Sequence, residues 1–189
     1  MNCCVKEFNR MSYVKGFLLF VLLASCLIAG QAQETSVNGN GGVITGSLRE
    51  LRNSRRLLLL VRRSNVVDSR GQAKTIINEA YRANPDVPAH YPRLFNLLAR
   101  KLNKYISKHR NITAVKNVSD ADFIIFFNLL EIRRPLGHPY PYGEMFVILN
   151  DRSGLKPPRI VWKTRKSSMW AEEAIEDFIR DLKIVRGEG

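Results

Sequence analysis

The sequence has no cysteine after Cys26; its three cysteines are Cys3, Cys4 and Cys26. That excludes a disulfide framework and a thiolate zinc site in all that follows. A chain of this size needs neither, because folding buries roughly 68–70% of the surface that such a chain exposes when unfolded. Histidine is also scarce. His90, His109 and His138 are dispersed with no ligand spacing, so no metal site is expected. Carboxylates are outnumbered, 17 Asp and Glu against 30 Lys and Arg, for a formal net charge of +13. Gly-x-Ser-x-Gly, P-loop and zincin motifs are missing, and no paired-carboxylate cluster can be identified. The chain therefore reads as non-enzymatic, with no catalytic residue and no cofactor assigned.

A long apolar run is lacking too. Gly16 to Gly30 is free of charge for fifteen residues, short of the roughly 20 that a bilayer span needs. Lys6, Arg10 and Lys15 precede it, and Gly30-Gln31-Ala32 follows as a small-x-Ala cleavage pattern. Residues 1–32 thus read as a secretory signal, which places the rest outside the cytoplasm, periplasmic or secreted. Leu23-Ala24-Ser25-Cys26 resembles a bacterial lipobox, in which Cys26 would be lipid-modified and membrane-anchored. The alternative is an ordinary cysteine within the apolar run, since Leu27-Ile28-Ala29 continues past it. Gln33 to Ser47 is rich in Gly, Asn, Ser and Thr. A flexible linker is expected over 33–54 and a single domain over 55–189.

Within that domain, Leu57-Leu58-Leu59-Leu60-Val61 predicts a strand over 56–63 that is buried on both faces. Ala73, Ile76, Ile77 and Ala80 predict a helix over 70–83, stopped by Asn84-Pro85 and followed by a connection over 86–91. Pro92 opens a longer helix to Lys108. Its apolar face is Leu94, Leu98, Leu102, Tyr105 and Ile106; Arg93, Arg100, Lys101, Lys104 and Lys108 lie opposite. Strands are expected over 111–118, 123–133, 144–149 and 159–165, with a Pro-rich loop over 135–143. A last helix is expected over 169–185, with Ser168 as N-cap and Gly187 as its end. The β-α-α-β-β-β-β-α order predicts an α+β fold: one mostly antiparallel sheet of about five strands, with helices packed mainly on one face.

Asp120-Ala121-Asp122-Phe123-Ile124-Ile125 resembles the small-Asp-hydrophobic strand of bacterial envelope domains of the CsgG, LpoB and TolB N-terminal kind. Asn150-Asp151-Arg152-Ser153-Gly154 with Ile160-Val161-Trp162-Lys163 resembles a hairpin of exported proteins of this sort. The resemblance spans roughly residues 56–183, though its specific matches are about a dozen residues. It implies an α+β fold and an envelope setting, and it transfers no catalytic residue.

Contact residues are sought where charge and aromatic rings cluster. Pro135 to Gly143 carries His138, Tyr140 and Tyr142 above Arg133 and Arg134, a stiffened loop able to stack on sugars or dock on a protein. Arg93, Arg100, Lys101 and Lys104 offer a cationic helix face. The expected function is a non-enzymatic envelope module that binds a protein, an anionic polymer or lipid headgroups at these residues. Alternatives are a nucleic-acid-binding protein, which the export signal opposes, and an orphan hydrolase without a recognisable motif. One of Asp120 and Asp122 is expected to cap the turn before its strand. Asn111-Ile112-Thr113 and Asn117-Val118-Ser119 are glycosylation sequons, relevant only in a eukaryotic host.

Overall fold

Four consecutive leucines point alternately to two sides of a strand, and both sides must then be covered. The computed structural model shows how. It describes residues 43–64, 73–83, 91–109 and 111–188. The signal segment 1–32 with Cys26, linker residues 33–42, helix residues 70–72 and residues 84–90 with His90 lie outside the described residues. Strand β1 (Arg56–Arg62) turns Leu57 and Leu59 to one core and Leu58 and Leu60 to the other. The first core is closed by helices α2 (Pro92–Lys108) and α3 (Ala171–Arg186), through Leu94, Leu98, Leu102, Ala174, Ile175 and Phe178. The second is closed by α1 (Ala73–Arg82), through Ile76, Ile77 and Ala80.

The α+β class and the order of elements are as expected. The sheet runs β2-β1-β3-β4-β5, with β2 at Thr113–Ala114, β3 at Phe123–Arg133, β4 at Tyr140–Leu149 and β5 at Arg159–Lys163. A two-residue β6 (Met169–Trp170) also pairs with β4. The sheet is mixed: β1 pairs in parallel with β2 and β3, and the remaining pairs are antiparallel. Two helices share a face, as expected, while α1 covers the other, because a strand apolar on both sides leaves neither open to water.

Several boundaries shift for local reasons. Residues 43–54, expected as linker, are packed onto the sheet. Val43 and Leu51 are buried, the Thr45 N–H donates to Ile160 O at 2.9 Å, and Ser47 and Glu50 form a capping box on a 3-10 turn over Leu48–Asn53. The strand expected over 111–118 is cut to Thr113–Ala114 by a 3-10 turn over Val118–Asp120. The Asn150 amide holds that turn, donating to Val118 O and Ala121 O at 2.9 Å each. Asp122 accepts the backbone N–H of Arg55 (2.8 Å) and of Arg56 (3.0 Å), fastening the starts of β1 and β3 together.

The last helix begins at Ala171, after β6, with Trp170 at the N-cap position. Ser168 is not the cap; its hydroxyl donates to Glu131 at 3.4 Å instead. Glu172 and Glu173 in the first turn and Lys183 and Arg186 in the last complement the helix dipole, and Gly187 closes the helix at φ 67°. Beyond it, the Tyr105 hydroxyl donates to Glu188 at 2.6 Å. Burial and that carboxylate push the Tyr105 phenol well above its ordinary pKa.

Candidate functional site

Strand β3 is buried from Phe123 to Leu129; beyond that point it and β4 run on as a hairpin flanked, among the described residues, only by β6 at Gly143 and Tyr142. The change occurs at a β-bulge between Leu129 and Glu131. Gly143 pairs with Leu129 there. A Cβ on Gly143 would lie 2.1 Å from Asn128 O and 2.9 Å from the Phe127 ring, so close backbone approach requires glycine at this position. At the far end, a 3-10 turn over Pro135–Gly137 reverses the chain. It places Leu136 at φ 53° and Gly137 at φ 81°. Leu136 is 99% exposed.

The loop expected over 135–143 is therefore a short turn, and Tyr140 to Gly143 belong to β4. Arg133 pairs with Tyr140, Ile132 with Pro141 and Glu131 with Tyr142. Tyr140 meets Trp170 edge-on at 5.5 Å, Tyr142 lies opposite Trp170 in register, and the Arg133 guanidinium sits 4.3 Å over the Tyr142 ring. Cross-strand partners of this kind stabilise a pairing by roughly 0.2–1 kcal/mol each. They draw the Tyr-Pro-Tyr segment into the sheet and leave both tyrosines half-buried.

The two faces of this hairpin differ. Glu131, Arg133, Tyr140 and Tyr142 share one face with Trp170. Arg133 donates to Glu131 through Nε at 2.9 Å and also through Nη2. The guanidinium holds the Glu131 carboxyl below the usual carboxylate range. The other face carries Ile132 and Pro141. With Arg134 and Pro139 from the turn region and Tyr91, Arg93, Leu94 and Leu97 from the start of α2, it lines a groove of about 510 Å³. Among the described residues, no carboxylate lines that groove.

The fold thus brings Arg93 and Arg134 together across one groove, 41 positions apart in the sequence. His138 is exposed at the end of the turn, and Arg133 is exposed on the opposite hairpin face. Arg100 and Lys104 are exposed on α2 but do not line the groove. Lys101 is a correction. Its ammonium donates to Glu176 at 2.6 Å and pairs with Glu172, tying α2 to α3. Hydrogen bonds to Glu172 and then Glu176 raise its pKa. Lys101, expected as a contact residue, thus engages two carboxylates of α3.

Sequence reasoning missed a row of polar residues beneath α1. Arg62 on β1 pairs in register with Asn128 on β3, and Asn128 with Glu144 on β4. Lys163 on β5 pairs with Phe146, diagonal to Glu144. Asn128, Glu144 and Lys163 are buried. Asn128 Oδ1 accepts the Ser64 N–H at 2.9 Å. Above the row, Glu79 of α1 pairs with Arg62 at 3.3 Å. Lys163 Nζ has no hydrogen-bond partner among the described residues. The available signal was a lone polar residue inside an apolar run, Phe127-Asn128-Leu129, which is costly to bury without a reason.

Among the described residues no group of His, Cys, Asp and Glu is arranged to hold a metal ion, and no helix is long and apolar enough to cross a membrane. No family model, curated protein or solved structure matches the chain.

Proposed function

We propose that the chain is an exported, non-enzymatic module of the cell envelope that binds an anionic partner in the groove between the β3–β4 hairpin and the start of α2. One observation carries the reading: Arg93 and Arg134 both line an apolar groove that has no carboxylate among its described lining residues. Two guanidinium groups in such a setting recognise phosphate, sulfate or carboxylate by charge and by paired donors. Without Lys6, Glu7, Arg10 and Lys15 of the signal, 27 Lys and Arg still face 16 Asp and Glu, and this excess adds long-range attraction for the same partners. The N-terminal pattern and the resemblance to CsgG, LpoB and TolB N-terminal domains support the extracytoplasmic setting, either free after cleavage at Ala32 or anchored through Cys26.

Elution of the full chain from a dextran sulfate column tests the binding. Arg93→Gln with Arg134→Gln is expected to elute at clearly lower salt than the charge-matched pair Lys74→Gln with Lys156→Gln, whose side chains are exposed elsewhere. Equal elution of the two pairs overturns the assignment of the groove. Mass analysis of the N-terminus from the native host tests export: an intact Met1 overturns it.

A further inference from the structure

We propose that the tip of the β3–β4 hairpin docks on an anionic lipid surface, with Leu136 entering the acyl boundary and Arg93 and Arg134 meeting headgroup phosphates. The proposal rests on the reading of the groove as an anion-binding surface and names its ligand class. Its starting point is Leu136. A leucine at φ 53° occupies the left-handed region that L-residues other than Gly, Asn and Asp disfavour. It is also 99% exposed, so the folded chain recovers no burial in return. Glycine or asparagine would make the same turn at lower cost. Ile132, 43% exposed, adds a second apolar side chain close behind the turn.

Charge completes the picture. The segment 129–143 carries Arg133, Arg134 and His138 against a single carboxylate, Glu131, and Arg133 holds that carboxylate. Arg93 joins Arg134 behind the tip. A soluble polyanion would use the arginines and leave the projecting leucine idle. An anionic bilayer uses both, because cations are drawn to its surface potential and an apolar tip adds burial below the headgroups. Tyr140 and Trp170, in contact at 5.5 Å, supply the amphipathic rings suited to the interface.

The test uses the full chain with vesicles of phosphatidylglycerol and phosphatidylcholine, compared with phosphatidylcholine alone. Hydrogen exchange read by mass spectrometry is expected to show residues 130–143 protected by the anionic vesicles and not by the neutral ones. Leu136→Asn is expected to lower partitioning onto anionic vesicles about tenfold while folded stability stays equal or rises, since asparagine tolerates this backbone. Parent and variant share the same N-terminus, so their difference reports the hairpin tip. Equal partitioning of the two, or no protection of 130–143, overturns membrane docking. Leu136→Asn leaves dextran sulfate elution unchanged, so that column still decides the anion-binding reading separately.

Discussion

The same two strands behave differently along their length. From Phe123 to Leu129, β3 is wholly buried against its neighbours and between two layers of helix. From Glu131 onward only the two-residue β6 flanks the pair among the described residues, at Tyr142, and the hairpin ends in an exposed leucine and an exposed arginine pair. One bulge and one glycine separate these regimes. In the body, side-chain identity is set by volume, because interiors are close-packed and even a methylene is felt. At the end, Tyr140 and Tyr142 are held by Trp170 and Arg133, while Leu136, Arg134 and His138 are exposed.

Phe127 is fully buried, so Phe127→Ala is expected to cost about 3–5 kcal/mol by chemical denaturation. A loss below about 1 kcal/mol would erase the distinction between body and end. Gly143→Ala probes the junction. The new Cβ must displace the Asn128 carbonyl or the Phe127 ring, at a cost of about 1–3 kcal/mol. Parent-like stability would show that the bulge does not depend on close approach.

The smallest effect belongs to the exposed end. Because Arg133 depresses the Glu131 pKa, the stabilisation from that pair is fully present above the unfolded carboxylate's pKa. It fades as pH falls through the lower, folded value. Glu131→Gln should remove this part of the acid dependence and change little at neutral pH, since the pair is solvent-exposed. An unchanged pH profile would mean that the pair contributes nothing to the hairpin.

Much of this fold was legible beforehand, and the exceptions have physical causes. Pro92–Lys108 reads directly from its apolar stripe and its leading proline. Phe123–Arg133 reads from its aromatic and β-branched content. Tyr140-Pro141-Tyr142 reads as loop because three prolines lie within 135–141; it is strand because Arg133 and Trp170 supply ring partners that are distant in sequence or visible only in register. Residues 43–54 look too polar to fold alone, and they do not fold alone: Ile160, Arg159 and Arg186 hold them. The candidate site was half legible. Arg93 and Arg134 were both nominated for charge, but their shared groove depends on how the hairpin meets α2. Lys101 carries the same charge as Lys104 and differs only in facing Glu172 and Glu176.

Periodicity and composition are local properties of a chain, and they carried the main helices and strands, their order and the two-sided burial of β1. Tertiary structure alone decided the parallel pairing of β1 with β3, the helix assigned to each face and the union of Arg93 with Arg134. Those depend on which surfaces meet across long separations, and a repeat of two or of 3.6 residues records that a face is apolar without recording what covers it.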